Sequence, residues 1–228
     1  MNESLELLRE NGQTDLVQDI EYKIDTAREM GKSMGQHLQE ILNKLEFDPG
    51  LIATNGAISF DIYFGNEIEA INRFHPKKFI VSEDPQPTEW ERRANGDIAS
   101  YKDLVIQTLG KGINFEYVDK SLKGAISTLE NSGTHDYGLV TWLNIWPVGV
   151  DSEVITDFII KTSKFLASNG LILISDQGDP SGRVKKIFAD LSNRGIQGYK
   201  IEGFTSLMNN RGGGAGEHFL AVRKTSAE

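Results

Sequence analysis

The chain has 228 residues, a formal charge of −9 and an isoelectric point near 5.0, a length that suits one sizeable domain with a helical extension rather than two full domains. The acidic balance argues against general nucleic-acid binding, which rests on cationic contacts to phosphates, and points to a small-molecule substrate or a protein as partner. The absence of cysteine excludes a disulfide framework, a thiolate nucleophile and a cysteine-based zinc site. No apolar run approaches the roughly 18 residues of a membrane span. The opening Met1-Asn2-Glu3-Ser4-Leu5-Glu6 lacks the basic-then-apolar order of a signal peptide, so a cytoplasmic protein without membrane contact is expected.

Residues 1–46 read as helical. Leu16, Ile20, Ile24, Ala27, Met30, Met34, Leu38, Ile41 and Leu45 recur at steps of three or four, the spacing of one helix face, with charged residues such as Asp19, Lys23, Arg28 and Glu40 between them. Gly12, Gly31 and Gly35 are the points at which this segment is expected to divide or bend, and Asp48-Pro49-Gly50 ends it with turn chemistry. Residues 1–49 are therefore an N-terminal helical extension and 50–228 an α/β domain. The apolar stripe packs on that domain, covers a substrate pocket as a lid, or forms a homodimer contact; the sequence leaves the three open.

Strands are expected at 57–63, 79–82, 114–118, 138–143 and 171–175, with helices near 66–73, 97–109, 121–130 and 152–167. The last of these helices starts at Asp151-Ser152-Glu153, whose short polar and acidic side chains suit free amide groups. It stops at Asn169-Gly170, residues that tolerate a left-handed turn. Strands alternating with helices imply a mostly parallel sheet covered on both faces. A helix near 181–194 then leads to strands at 199–204 and 218–222 with no helix between them, which implies an antiparallel hairpin at a sheet edge.

Two acids flank the first strand–helix–strand unit. Asp61 lies at the end of the first strand, before a turn holding Gly65. Asp84 follows the second strand, Phe79-Ile80-Val81-Ser82, about twenty residues later. This is the shape of a nucleotide-type cofactor site on an open α/β sheet, in which the acid after the second strand bonds a ribose.

Over residues 50–224 the order and spacing of the elements resemble the class I S-adenosylmethionine (SAM)-dependent methyltransferase superfamily. The resemblance implies a Rossmann-like seven-stranded sheet ending in an antiparallel hairpin, SAM as cofactor, and methyl transfer to a small-molecule acceptor. The superfamily's first motif is D-x-G-x-G-x-G. Asp61 matches its acid, Tyr63 falls on the first glycine, Gly65 matches the second and Glu67 falls on the third. The resemblance places Asp61, Tyr63 and Gly65 at the amino-acid end of the cofactor. It gives the ribose to Asp84, or to Glu83 if the register slips by one, because an ionised carboxylate accepts from both hydroxyls. Asp119, after the third strand, would sit by the adenine. Leu143 and Asn144 would line the cleft between cofactor and acceptor, within the best local match, which runs over 137–147 and on to Asp176. Ile145-Trp146-Pro147 follows Asn144 in place of the Asn-Pro-Pro-aromatic motif of amino-group methylases, which disfavours a DNA base or a glutamine amide as acceptor.

His37, His75, His135 and His218 lack metal-ligand spacing, and no metal site is expected. Alignment of the acceptor for in-line attack would supply most of the catalysis. No general base is fixed by the sequence; His218, just after the Gly212-Gly213-Gly214-Ala215-Gly216 run, and Asp176, at the carboxyl edge of the sheet, are its candidates. The alternative is a methyltransferase-like module that binds a ligand or a protein without catalysis, which the departures at Tyr63 and Glu67 would favour. A dinucleotide-dependent redox enzyme is disfavoured by the terminal hairpin.

Overall fold

A computed structural model describes residues 3–60, 62, 65–83, 105–133, 135–145, 152–177, 182–194, 198–206 and 217–225. The N-terminal segment forms α1 (Glu3–Glu10) and α2 (Thr14–Lys44). The division falls at Gly12, whose φ of +76° is a left-handed conformation that glycine adopts without steric cost. The expected breaks at Gly31 and Gly35 do not occur, and α2 runs unbroken through both. The reason is tertiary. Both glycines face α4 (Asn66–Asn72), where a Cβ on Gly31 would lie 2.6 Å from Glu69 Cβ and 2.7 Å from the Asn66 carbonyl oxygen. A Cβ on Gly35 would lie 2.8 Å from Arg73 Cδ and 3.2 Å from Ala70 Cα. The missing side chains let the two helices approach closely, which outweighs a helix-propensity cost of about 1 kcal/mol per glycine.

A short helix, α3 (Gly50–Asn55), follows where only a turn was expected. Asp48 Oδ1 accepts from the Gly50 amide at 2.8 Å, so the same Asp-Pro-Gly run that closes one element also starts the next. Beyond it lie β1 (Ala57–Phe60), α4, β2 (Phe79–Glu83), a helical stretch through 105–109, β3 (Glu116–Asp119), α5 (Leu122–Ser132), β4 (Tyr137–Ile145), α6 (Ser152–Thr162), β5 (Leu166–Gln177), α7 (Gly182–Asn193), β6 (Tyr199–Ser206) and β7 (Glu217–Lys224). The helix expected over 152–167 ends five residues early. A single 3-10 turn at Ser163–Phe165 passes directly into β5. Asn169, at φ +62°, and Gly170 lie inside that strand, where the pairing with β4 shifts register between Tyr137–Leu166 and Leu139–Leu171. They mark a bulge rather than a helix stop.

The seven strands form one sheet in the order β3-β2-β1-β4-β5-β7-β6. Strands β1 to β5 pair in parallel, and β7 lies antiparallel between β5 and β6, as the expected hairpin requires. The period-2 alternation of strands divides the apolar residues between two faces. Ala57, Val81, Leu139, Leu143, Leu173 and Phe219 join one core with Ile20, Ile24, Leu38, Ile41 and Leu42 of α2 and with Ile68 and Ile71 of α4. Ile58, Phe60, Ile80, Val140, Trp142, Ile174 and Leu220 join the other, with Ile126 and Leu129 of α5, Phe158 of α6 and Leu191 of α7. Arg223 of β7 donates to the Leu45 carbonyl, satisfying an acceptor that the end of α2 would leave orphaned. Among the described residues no helix is long and apolar enough to cross a membrane.

Candidate functional site

The carboxyl ends of β1, β2, β3, β4 and β5 share one edge of the sheet, where ligands bind in open α/β folds. Past β1 the chain turns sharply. The Ile62 amide donates to the Ser82 carbonyl at 3.4 Å, and the Gly65 amide donates back to the Ile62 carbonyl at 2.6 Å. Gly65, at φ +81°, immediately precedes α4. A side chain here would be strained by its left-handed backbone, at about 1–2 kcal/mol, and its Cβ would lie 2.7 Å from Leu109 Cδ1. Glu67, on the third glycine position of the motif, is only 1% exposed in the first turn of α4. It is therefore packed into the protein, at a helix end whose amides favour negative charge. Asp61 and Tyr63 lie outside the described residues, as does Asp84.

The second strand closes on Glu83, which is 5% exposed and stands beside Asp119 in the parallel register. Asp119 is exposed at the end of β3. Leu143 is buried near the end of β4, on the face covered by α2, and Asn144 is the next residue of that strand. The two candidate bases, Asp176 on β5 and His218 on β7, are direct cross-strand partners, and Asp176 also pairs with Ile145 of β4. The backbone thus brings Asn144, Asp176 and His218 onto adjacent strands at one edge.

A further feature lies on the α2 side of that edge. Met34, His37, Leu38 and Ile41 of α2 face Leu143, Ser175 and Phe219 across a small, largely apolar pocket. The signal was present, because positions 34, 37, 38 and 41 fall on one helix face. The His37 side chain is 13% exposed, with Nδ1 3.8 Å from Glu40 Oε2. Its ring packs on Phe219 at 6.0 Å between centroids. Its Nε2 is buried and has no hydrogen-bond partner among the described residues.

Burial holds the His37 pKa below its ordinary 6.5, the opposing pull of Glu40 being smaller and Lys44 adding to the lowering. Folding therefore favours the neutral ring. The stability this contributes is complete above pH 6.5, the unperturbed value, and is lost as pH falls toward the folded-state pKa. A His37→Phe variant, which keeps a ring against Phe219 and takes no proton, should lose less stability than the native chain on acidification below that pH. Thermal unfolding followed across the range checks this, and parallel curves for the two proteins would contradict it.

No protein-family model matches the chain, and no curated protein matches it by sequence. Solved structures do match. The O-methyltransferase TomG from Streptomyces achromogenes, determined in complex with SAM, is similar at a TM-score of 0.55 and 12% identity over 90% of each chain. The chain has the class I methyltransferase fold. An O-methyltransferase from Bacillus cereus, determined in complex with SAH, is similar at a TM-score of 0.50 and 10% identity, over 84% of this chain and 91% of that one. At such identities the likeness establishes the fold and leaves function to the residues. The turn from β1 into α4 and the ends of β2, β3 and β4 meet at the carboxyl edge of the sheet. Gly65, Glu83, Asp119 and Leu143 occupy them.

Proposed function

We propose that this protein binds SAM at the carboxyl ends of β1 and β2 and transfers its methyl group to a small-molecule acceptor. The observation that carries the reading is the left-handed Gly65 turn between β1 and α4, set beside an acid-terminated β2 on a sheet of methyltransferase order. A turn of this kind brings backbone amides close to a ligand's carboxylate and leaves no Cβ in the way. Gly65 would hold the amino-acid end of the cofactor together with Asp61 and Tyr63. Asp84 or Glu83 would hold the ribose, and Asp119 the adenine. Leu143 and Asn144 would border the site of transfer. Bound SAM supplies an electrophilic methyl on a sulfonium, so the chain's own task is to bind, align and exclude water. Glu67, on the third glycine position of the motif, is buried in the first turn of α4.

Titration calorimetry with SAM, its demethylated product SAH, and NAD tests the reading. Binding of SAM and SAH without NAD is the expected result. Binding of none of the three would sink it, and binding of NAD alone would move the chain to redox chemistry.

A further inference from the structure

We propose that the outer face of α1 and the first half of α2 docks a basic, amphipathic helix of a partner protein. The two most exposed large apolar side chains among the described residues both lie here, Tyr22 at 70% and Leu7 at 59%. Isolated exposed apolar side chains are ordinary on a protein surface, but the fold pairs these two. Leu5 of α1 and Val17, Ile20 and Ile24 of α2 enter one core. Leu7 lies two residues from Leu5, and Tyr22 lies two residues from both Ile20 and Ile24; two residues are about 200° round a helix. Each side chain therefore points away from the core on which its helix packs. The two helices lie against each other, and Arg9 of α1 is ion-paired with Glu21 of α2, the neighbour of Tyr22. The N-terminal extension thus presents two apolar side chains outward on adjoining helices.

Charge decides the occupant. Residues 1–49 hold eleven acids and five bases, a net −6 of the chain's −9. Asp15, Asp19, Asp25 and Glu29 are exposed three and seven residues to either side of Tyr22, so they line its face of α2. Glu6 and Glu10 are exposed next to Leu7 on α1. Lys23, Arg28 and Lys32 pair with Asp19, Asp25 and Glu29, but exposed pairs are weak and screened by salt, and the face stays net acidic. A second copy of the chain would set acids against acids across a two-fold contact. An anionic membrane surface or a nucleic acid would be repelled in the same way. A cationic protein segment is attracted. A helix fits the shape, since its ridges seat in the groove between two packed helices. Its apolar residues, recurring at helical spacing, would cover Leu7 and Tyr22 while flanking lysines and arginines meet the acids. The surface stands independently of the methyl-transfer reading.

The test uses the full chain and two dye-labelled model peptides, with fluorescence anisotropy as the readout. One is a helix of leucine and lysine with its leucines on one face; the other has the same composition in scrambled order. The patterned helix should bind, and its affinity should fall as salt rises. The double variant Leu7→Ser, Tyr22→Ser should weaken binding about tenfold, as loss of apolar anchors does at an interface. The double variant Asp15→Asn, Asp19→Asn should flatten the salt dependence. All four positions are exposed, so these changes leave the fold intact. Val154→Ser with Phe188→Ser, which removes the other two exposed large apolar side chains, should leave binding unchanged. No binding of the patterned helix would overturn the proposal, as would equal binding of the scrambled peptide or binding insensitive to the changes at Leu7 and Tyr22. Sedimentation that shows a dimer dissociated by those same two changes would also overturn it, because a second copy would then occupy the face.

Discussion

Replacing Gly31 by valine is expected to destabilise the chain by about 3 kcal/mol, the upper range for overpacking a closely fitted contact. The new Cβ would fall 2.6 Å from Glu69 Cβ and 2.7 Å from the Asn66 carbonyl oxygen. Neither atom is the free end of a flexible side chain, so α2 and α4 would have to separate. Alanine at the same position should cost less, because its gain in helix propensity, about 1 kcal/mol, offsets part of the clash. Chemical denaturation measures both, as a lowered midpoint with an unchanged slope. Native stability in the valine variant would show that the two helices do not meet as described. The consequence reaches function, because α4 begins at the Gly65 turn and α2 carries His37. One glycine contact therefore joins the α2 wall of the small apolar pocket to the proposed cofactor turn.

Removing the carboxylate proposed to hold the ribose should weaken SAM binding by ~1–3 kcal/mol, the value of charge-assisted hydrogen bonds lost from a bound ligand. That corresponds to roughly five- to 150-fold in affinity. The resemblance assigns this role to Asp84, or to its neighbour Glu83, which is buried at the very end of β2. Titration of Asp84→Ala and Glu83→Ala with SAM distinguishes them, the larger loss marking the ribose ligand. Unchanged affinity in both would remove this strand end from the site.

The alternation of strands and helices after residue 55 was legible, because a buried parallel strand reads as a compact apolar run between turn signals. So was the hairpin, since no helical pattern separates the strands starting at Tyr199 and Glu217. What the sequence missed was ambiguous or tertiary. Lys164-Phe165-Leu166-Ala167 fits either the end of a helix or the start of a strand, and only pairing with β4 decides it. Gly31 and Gly35 look like helix breakers until α4 lies against them. Of the candidate site, the left-handed turn at Gly65 was legible as a tight turn that needs a glycine. The strand that carries Leu143 was legible as an apolar run. His37 sat in plain view on the apolar face of α2, but nothing local shows that the same face borders Ser175 and Phe219 across the sheet edge.

The Gly65 turn and the acid-terminated β2 are the proposed SAM site. A crystal structure of the chain grown with SAH tests it most directly. The amino-acid moiety should lie against the backbone between β1 and α4, the ribose hydroxyls on Glu83 or Asp84, and the sulfur facing Leu143. SAH bound elsewhere, or that edge left empty at saturating SAH, would contradict it.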